Sequence, residues 1–335
     1  MTMLQRLDGG REPTLSSPER REHVAWVKVV GRPLGHALAV SLCVVVVTFF
    51  LIHAFFGDPA RRRLGVNVSE AAVQELRERW GLNRPLTAQF WDYLTGIFRG
   101  DLGTSIQSDG THVSTLVFGS FANTALLAAI AMVLAVMLGI AGGIWAATSR
   151  LKVIDAFLRG GSMLSLSAPP ALVGLVVLFV IAVRARLAPV GGWGTGYPNN
   201  IKYLALPVIS LTILMTPIIL RVVRERALEV MHEPHIEAAR ARGMPPMRLL
   251  FGHLLPNCAV PIISVVGMTA GSLVSGAVIV EAVYGVPGLG QILLNAMNAG
   301  DYPVIQGAAL VCGIAVALCN SLAEAVQRVV DVRVR

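Results

Sequence analysis

Residues 249–280 read LLFGHLLPNCAVPIISVVGMTAGSLVSGAVIV, a run without Asp, Glu, Lys or Arg. Hydrocarbon gives a backbone nothing to hydrogen-bond, so about 20 consecutive apolar residues are read as a helix that crosses a bilayer. Windows free of the same four residue types recur outward from it, at 33–57, 110–149, 160–183, 203–220 and 302–323. The Gly110–Ser120 part of the second window is polar enough to be loop, which leaves 122–147 as its helix. The uncharged stretch 187–201, LAPVGGWGTGYPNNI, is dense in Gly and Pro and reads as a loop or short re-entrant turn. The chain is 54% hydrophobic and 14% charged, against roughly 25% charged for a soluble domain. The expected class is an all-α membrane protein with six transmembrane helices.

Basic residues are retained on the cytoplasmic side of a membrane, and they orient the chain. With the first residue inside, the cytoplasmic segments hold 18 of the 28 Lys and Arg residues and the short outer segments hold 3. Both termini are therefore expected in the cytoplasm. The net charge of +8 does not imply nucleic acid, because the basic residues form no continuous stripe. Residues 1–33 are polar, carry no apolar core of signal-peptide length and read as a retained cytoplasmic tail. The first transmembrane helix follows at 34–56, an extracytoplasmic loop at 57–118, and a core with five more helices at 119–335. In the loop, Ser69 is placed to cap a helix whose Val73, Leu76 and Trp80 share a face before Gly81 ends it. Phe90, Leu94, Ile97 and Phe98 repeat the pattern in a second amphipathic helix. That pair reads either as a packing cap or as a docking surface for an external partner.

Immediately before the opening run lies HEPHIEAARARGMPPMRLLFGHLLPN, residues 232–257, which overlaps it. Pro234 suits a first helical turn, and Glu237 through Arg242 continue the helix. Gly243 supplies a left-handed stop, and Pro245 with Pro246 can start a second helix. A helix, a sharp corner and another helix are thus tied to two membrane spans, so a force on the corner moves both.

This segment resembles the EAA loop of ATP-binding cassette importer permeases. Glu237-Ala238-Ala239, three residues, Gly243, nine residues, and then Leu255-Pro256 after one variable position reproduce its spacing, with His253 where Ile is usual. GDPA at 57–60, RERWGLNRPLTAQFWDYLTGIFRGDLGTS at 77–105, IVEAVYGVPGLGQILLNAMNAGDYPVIQG at 279–307 and the terminal DVRVR at 331–335 resemble the dipeptide, oligopeptide and nickel branch. Val332 departs from that branch's Pro-containing ending, and the tail 1–33 has no counterpart. The resemblance implies a type I importer fold in a bacterial plasma membrane, working beside a homologous second permease, two cytoplasmic ATPases and an extracytoplasmic solute-binding protein. Peptide is the implied substrate, with nickel or its chelates the alternative. By the same resemblance Glu237, Ala238, Ala239, Arg240 and Gly243 dock on an ATPase. The chain itself has no GxxxxGK[ST] loop, so ATP and Mg are expected on the partners and no cofactor or catalytic residue here.

Other residues carry narrower expectations. Pro169 and Pro170 in the third window, Pro207 and Pro217 in the fourth, and Pro256 and Pro261 in the fifth read as breaks. Gly139 with Gly143, and Gly267 with Gly271 and Ser275, have the four-residue spacing of closely packed helices. Ser264, Gly267, Gly271, Ser272 and Ser275 are the candidates for the translocation pathway or the subunit interface. Glu281 near the outer interface reads as a structural contact, and Glu324 as a partner of a cytoplasmic base or as facing water. His232 and His235 read as exposed histidines beside a helix start, and His36 and His53 as polar interface contacts. Cys43, Cys258, Cys312 and Cys319 form no CxxC or other metal-ligand spacing, so neither a metal site nor a disulfide framework is expected. An ion-coupled carrier working alone is the rival from another class; it calls for charged residues in mid-span and inverted repeats, neither of which is evident.

Overall fold

The computed structural model describes residues 18–55, 57–64, 68–108, 110–149, 160–161, 163, 167–194 and 199–330. The described residues form helices, turns and coil, with one isolated bridge between Thr104 and His112. Five helices are long and apolar enough to cross a membrane: α1 Pro18–Phe55 through its segment Ala37–Ala54, α5 Val113–Thr148, α7 Asn200–Met231, α9 Pro246–Tyr284 and α11 Tyr302–Val330. The others are α2 Pro59–Leu64, α3 Glu70–Arg79, α4 Leu86–Phe98, α6 Pro170–Arg184, α8 Pro234–Ala241 and α10 Leu289–Ala299.

The third apolar window does not appear as one span. Pro169 is extended at φ −59°, ψ 137° and Pro170 opens α6, as expected where a proline disfavours helix at the residue before it. At 1.5 Å per residue α6 covers roughly 22 Å, less than the ~30 Å of hydrocarbon. Of the rest of that window, 162 and 164–166 lie outside the described residues. The other proline breaks are absent: α7 runs through Pro207 and Pro217, and α9 through Pro261. Packed neighbours let a membrane helix absorb the lost hydrogen bonds. Helix α5 begins at Val113 rather than near 122, because Val113 and Val117 are buried with Leu102 and extend the helix into the loop region. Helix α1 likewise reaches back to Pro18, inside the tail read from sequence.

Two apolar cores hold the helices together. One joins α5, α6, α7, α8 and α9 through residues such as Leu127, Val177, Leu211, Ile236 and Leu273. The second joins α1, the start of α5, α10 and α11 through Val45, Val117, Leu289 and Ile305. Small residues set the closest approaches, since a Cβ on Gly139 would lie 2.7 Å from the Ile219 side chain and one on Gly143 2.7 Å from Val223. Tyr284 pins three helices at the C-terminal end of α9. Its hydroxyl donates to the Gly174 carbonyl at 2.8 Å and lies 2.9 Å from Ser210 Oγ.

In the loop region Ser69 Oγ accepts from the Ala72 N–H at 3.4 Å, and Val73 is buried. Phe90, Leu94 and Ile97 pack on the second core. Phe98 does not join them and is 81% exposed. The chain reverses over Gly96, where the Asp101 carbonyl occupies the space a side chain would need, and this turns the last residue of α4 outward.

Candidate coupling corner and permeation face

The corner between α7 and α9 is built from its backbone outward. Glu233 is extended at ψ 141° and Pro234 opens α8. Ile236 and Ala239 are fully buried, which fixes the inner face of this short helix. Glu237, Ala238, Arg240 and Gly243 stand exposed on the other side. Four of the five residues read as docking residues are therefore outward, and Ala239 is turned in. Gly243 adopts φ +74°, donates to the Arg240 carbonyl at 2.9 Å, and is followed by a Met244 N–H donating to Ala239 at 3.2 Å. A left-handed residue is the one conformation that closes this stop, and glycine takes it without a Cβ penalty. Arg226 ties the corner to both spans through Glu229 at 2.9 Å, Glu233 at 3.5 Å and the Asn257 carbonyl at 3.4 Å.

Two residues of this face were not read from the sequence. Met247 is 70% and Phe251 64% exposed, just past the corner on α9. Their four-residue spacing was the available signal, masked because apolar residues next to a span read as part of the span. Around Phe251 the helix widens into a π turn at Leu250–Leu254 that also contains His253, a local feature frequent at functional sites. His232 Nδ1 lies 2.8 Å from the Leu228 carbonyl, and His235 pairs with Glu233 at 3.3 Å.

The five pathway candidates on α9 divide into two faces. A Cβ on Gly267 would lie 2.5 Å from that of Ala323, Gly271 abuts Asn320, and the Ser264 carbonyl accepts from Gln327 Nε2 at 3.1 Å. Those three belong to the packing of α9 on α11. Ser272 and Ser275 are exposed instead, in a stripe with Met268 and Ile279 at steps of four, three and four. Their hydroxyls donate to the carbonyls of Thr269 at 2.8 Å and Gly271 at 3.4 Å. With both hydroxyls so engaged, the stripe presents a weakly polar surface.

At the C-terminal end of α9, Glu281 is fully buried and its Oε2 accepts from the Gly290 N–H at 2.8 Å. Thr124 Oγ1 accepts from the Leu289 N–H at 2.9 Å, and Asn123 donates to the Pro287 carbonyl at 2.8 Å. Glu281 is thus a structural clamp that fixes the start of α10 against α5 and α9.

The N-terminal residues 27–138 and residues 139–335 match, respectively, the N-terminal and the main part of the family of binding-protein-dependent transport system inner membrane components. The chain belongs to this family of ATP-binding cassette importer permeases. The dipeptide transport system permease protein DppB of Escherichia coli K12 is 30% identical over 92% of this chain and 99% of its own length. The oligopeptide transport system permease protein AppB of Bacillus subtilis is 30% identical over 89% and 96%. A Brucella suis protein bearing a peptide-permease name is 33% identical over 89% and 96%.

Proposed function

We propose that this chain is one permease subunit of an ATP-driven importer of short peptides. The observation that carries the reading is the corner at Gly243: an exposed helix–turn–helix, rigidly joined to α7 and α9, in a chain whose full-length relatives are named as peptide permeases. One of the two cytoplasmic ATPases grips Glu237, Ala238, Arg240 and Gly243, with Met247 and Phe251 as added apolar contacts. Ala239 supports that grip from beneath. ATP-driven closure of the ATPases moves both attached helices, and a discrete corner is the kind of element through which such coupling passes. The Met268, Ser272, Ser275 and Ile279 stripe faces the pathway or a homologous second permease, while Ser264, Gly267 and Gly271 set its distance from α11. An external solute-binding protein delivers the peptide.

This function takes six crossings, the third supplied by the 160–183 window, with both termini in the cytoplasm of a bacterial cell. Support comes from the distribution of basic residues and the apolar length of that window. Labelling of single cysteines placed in the first and last segments with an impermeant reagent checks the topology; reaction from outside intact cells would refute it. For transport, proteoliposomes holding the chain with its second permease, two ATPases and binding protein should accumulate dipeptides only with ATP. Uphill uptake by the chain alone, or uptake of nickel in preference to peptide, would overturn the reading.

A further inference from the structure

Helix α4 is tied to two spanning helices. Its Phe90 and Tyr93 rings pack on Phe49 of α1, with centroids 5.2 and 5.9 Å away. Beyond its last turn, Ser105 Oγ donates to the Asp301 carboxylate at 2.5 Å, and the Gln107 N–H reaches the same oxygen at 3.1 Å. Ser105 and Asp301 are both buried, so this clasp joins the chain after α4 to the start of α11 from within. The faces that α4 turns outward are therefore fixed relative to the bundle.

Those outward faces differ. Trp91 and Phe98, two helical turns apart, share one flank, and they are 61% and 81% exposed. Thr95 lies between them, and its hydroxyl donates to the carbonyls of Trp91 at 2.9 Å and Asp92 at 3.0 Å. The stretch between the two rings is thus left without a free hydroxyl. The other exposed flank carries Asp92 and Arg99, also two turns apart. Asp92 pairs with Arg84, and both line a pocket with Arg79 and Gln89. Charges around one opening mark that flank as the side that meets water, since an ion in hydrocarbon is costly.

The aromatic flank continues a surface that meets lipid. In the membrane-crossing segment Ala37–Ala54 of α1, Val47, Phe50 and Leu51 are about half exposed. Phe50 stacks on Phe90 with centroids 5.8 Å apart, and Phe90 meets Trp91 edge-on at 6.3 Å. A row of rings leads from the apolar face of a spanning helix onto α4 with no polar residue between. It starts within the last turns of that segment, the depth at which indoles gather in membrane proteins because they join an apolar body to one polar N–H.

We propose that α4 is an interfacial anchor: Trp91 and Phe98 enter the bilayer at the boundary of headgroups and acyl chains, beside the C-terminal end of the α1 span, with Asp92 and Arg99 toward water. A helix that lies in the interface buries one apolar flank in this way and keeps its charges on another. The proposal needs α1 to cross a membrane and takes nothing from the transport reading.

The test is tryptophan fluorescence of the full chain in phosphatidylcholine vesicles whose acyl chains carry bromine either near the glycerol or near the methyl end. Subtracting the emission of Trp91→Phe from that of the unchanged chain isolates Trp91. Trp80→Phe isolates Trp80 in the same way, and this residue lines the pocket with Arg79 and Arg84. The Trp91 signal should be blue-shifted, lose most of its intensity to the shallow bromine and less to the deep one, and resist iodide added to the water. The Trp80 signal should be spared by both brominated lipids. Phe98→Trp, which leaves Trp91 in place, should add emission that the shallow bromine removes. Equal lipid quenching of Trp80 and Trp91, or quenching of Trp91 by iodide instead of by lipid, would overturn the proposal. So would loss of the lipid quenching once the second permease, the ATPases and the binding protein are added, since the flank would then be a protein interface. Uptake by that assembled transporter is scored separately, so failure of the anchor and failure of the transport reading are distinguishable.

Discussion

A Cβ added at Gly243 would meet nothing within 4 Å, whereas at Gly288 or Gly290 it would fall on the Glu281 carboxylate or the Val278 carbonyl. The two ends of α9 thus differ in what holds them. The corner before α9 keeps its shape by local backbone hydrogen bonds and one buried face, leaving the opposite face open to a partner. The turn after α9 is held by side-chain contacts to other segments, with buried Glu281 and Thr124 and a more exposed Asn123 reaching across to α10 and its turn. The Ser105–Asp301 clasp follows the same plan nearby. An element that must be gripped from outside can keep only half its surface for its own stability. An element that must not open uses all of it.

Five measurements test this contrast, the largest effect first. Gly290→Ala forces a side chain onto a backbone carbonyl that has nowhere to move. It should cost about 3 kcal/mol or more, read as loss of folded chain in a detergent melt. Asp301→Ala leaves the Ser105 hydroxyl and the Gln107 N–H without their acceptor and should cost about 2 kcal/mol in the same assay. Gly243→Val meets no atoms but must hold φ +74°. A penalty of about 1–2 kcal/mol is expected, with the chain still inserted and ATP hydrolysis uncoupled from uptake; full transport by this variant would refute the corner's role. The double variant Met247→Ser, Phe251→Ser touches exposed side chains and should change stability by less than about 0.5 kcal/mol, yet reduce the ATPase that copurifies. An unchanged yield of ATPase would remove these residues from the docking face.

The smallest effect is alkaline. The Tyr93 phenol ionises near 10 when unfolded and is pushed by burial to about 12 in the fold. Between those values the unfolded state binds fewer protons, so stability present below pH 10 declines as pH rises toward 12. Tyr93→Phe should flatten that decline in melts taken from pH 9 to 12, and an identical pH profile would show that the phenol is open to solvent.

The long uncharged windows gave away five of the spans, and Gly243 gave away the corner, because both depend on chemistry within a few residues. Long α1, α5, α7, α9 and α11 need only apolar length, since lipid forbids an unpaired backbone. In the third window apolar length says nothing of continuity, and α6 starts only at Pro170, after an extended Pro169. Phe98 was misplaced because periodicity assumes a helix that continues, whereas α4 ends in a reversal over Gly96. The start of α5 was read late because Val113 and Val117 are buried by Leu102, a residue of the loop before them.

Among the candidate site residues, sequence placed Glu237, Ala238, Arg240 and Gly243 on one short element but could not tell that Ala239 faces inward. On α9 it named the small residues together, yet Gly267 and Gly271 lie against α11 while Ser272 and Ser275 do not. A single sequence fixes the spacing of residues along a helix, because 3.6 residues make a turn whatever surrounds it. Which side of that turn meets another helix, and which stays open for a partner or a ligand, is decided only when distant segments pack, since burial is a property of the neighbours and not of the residue.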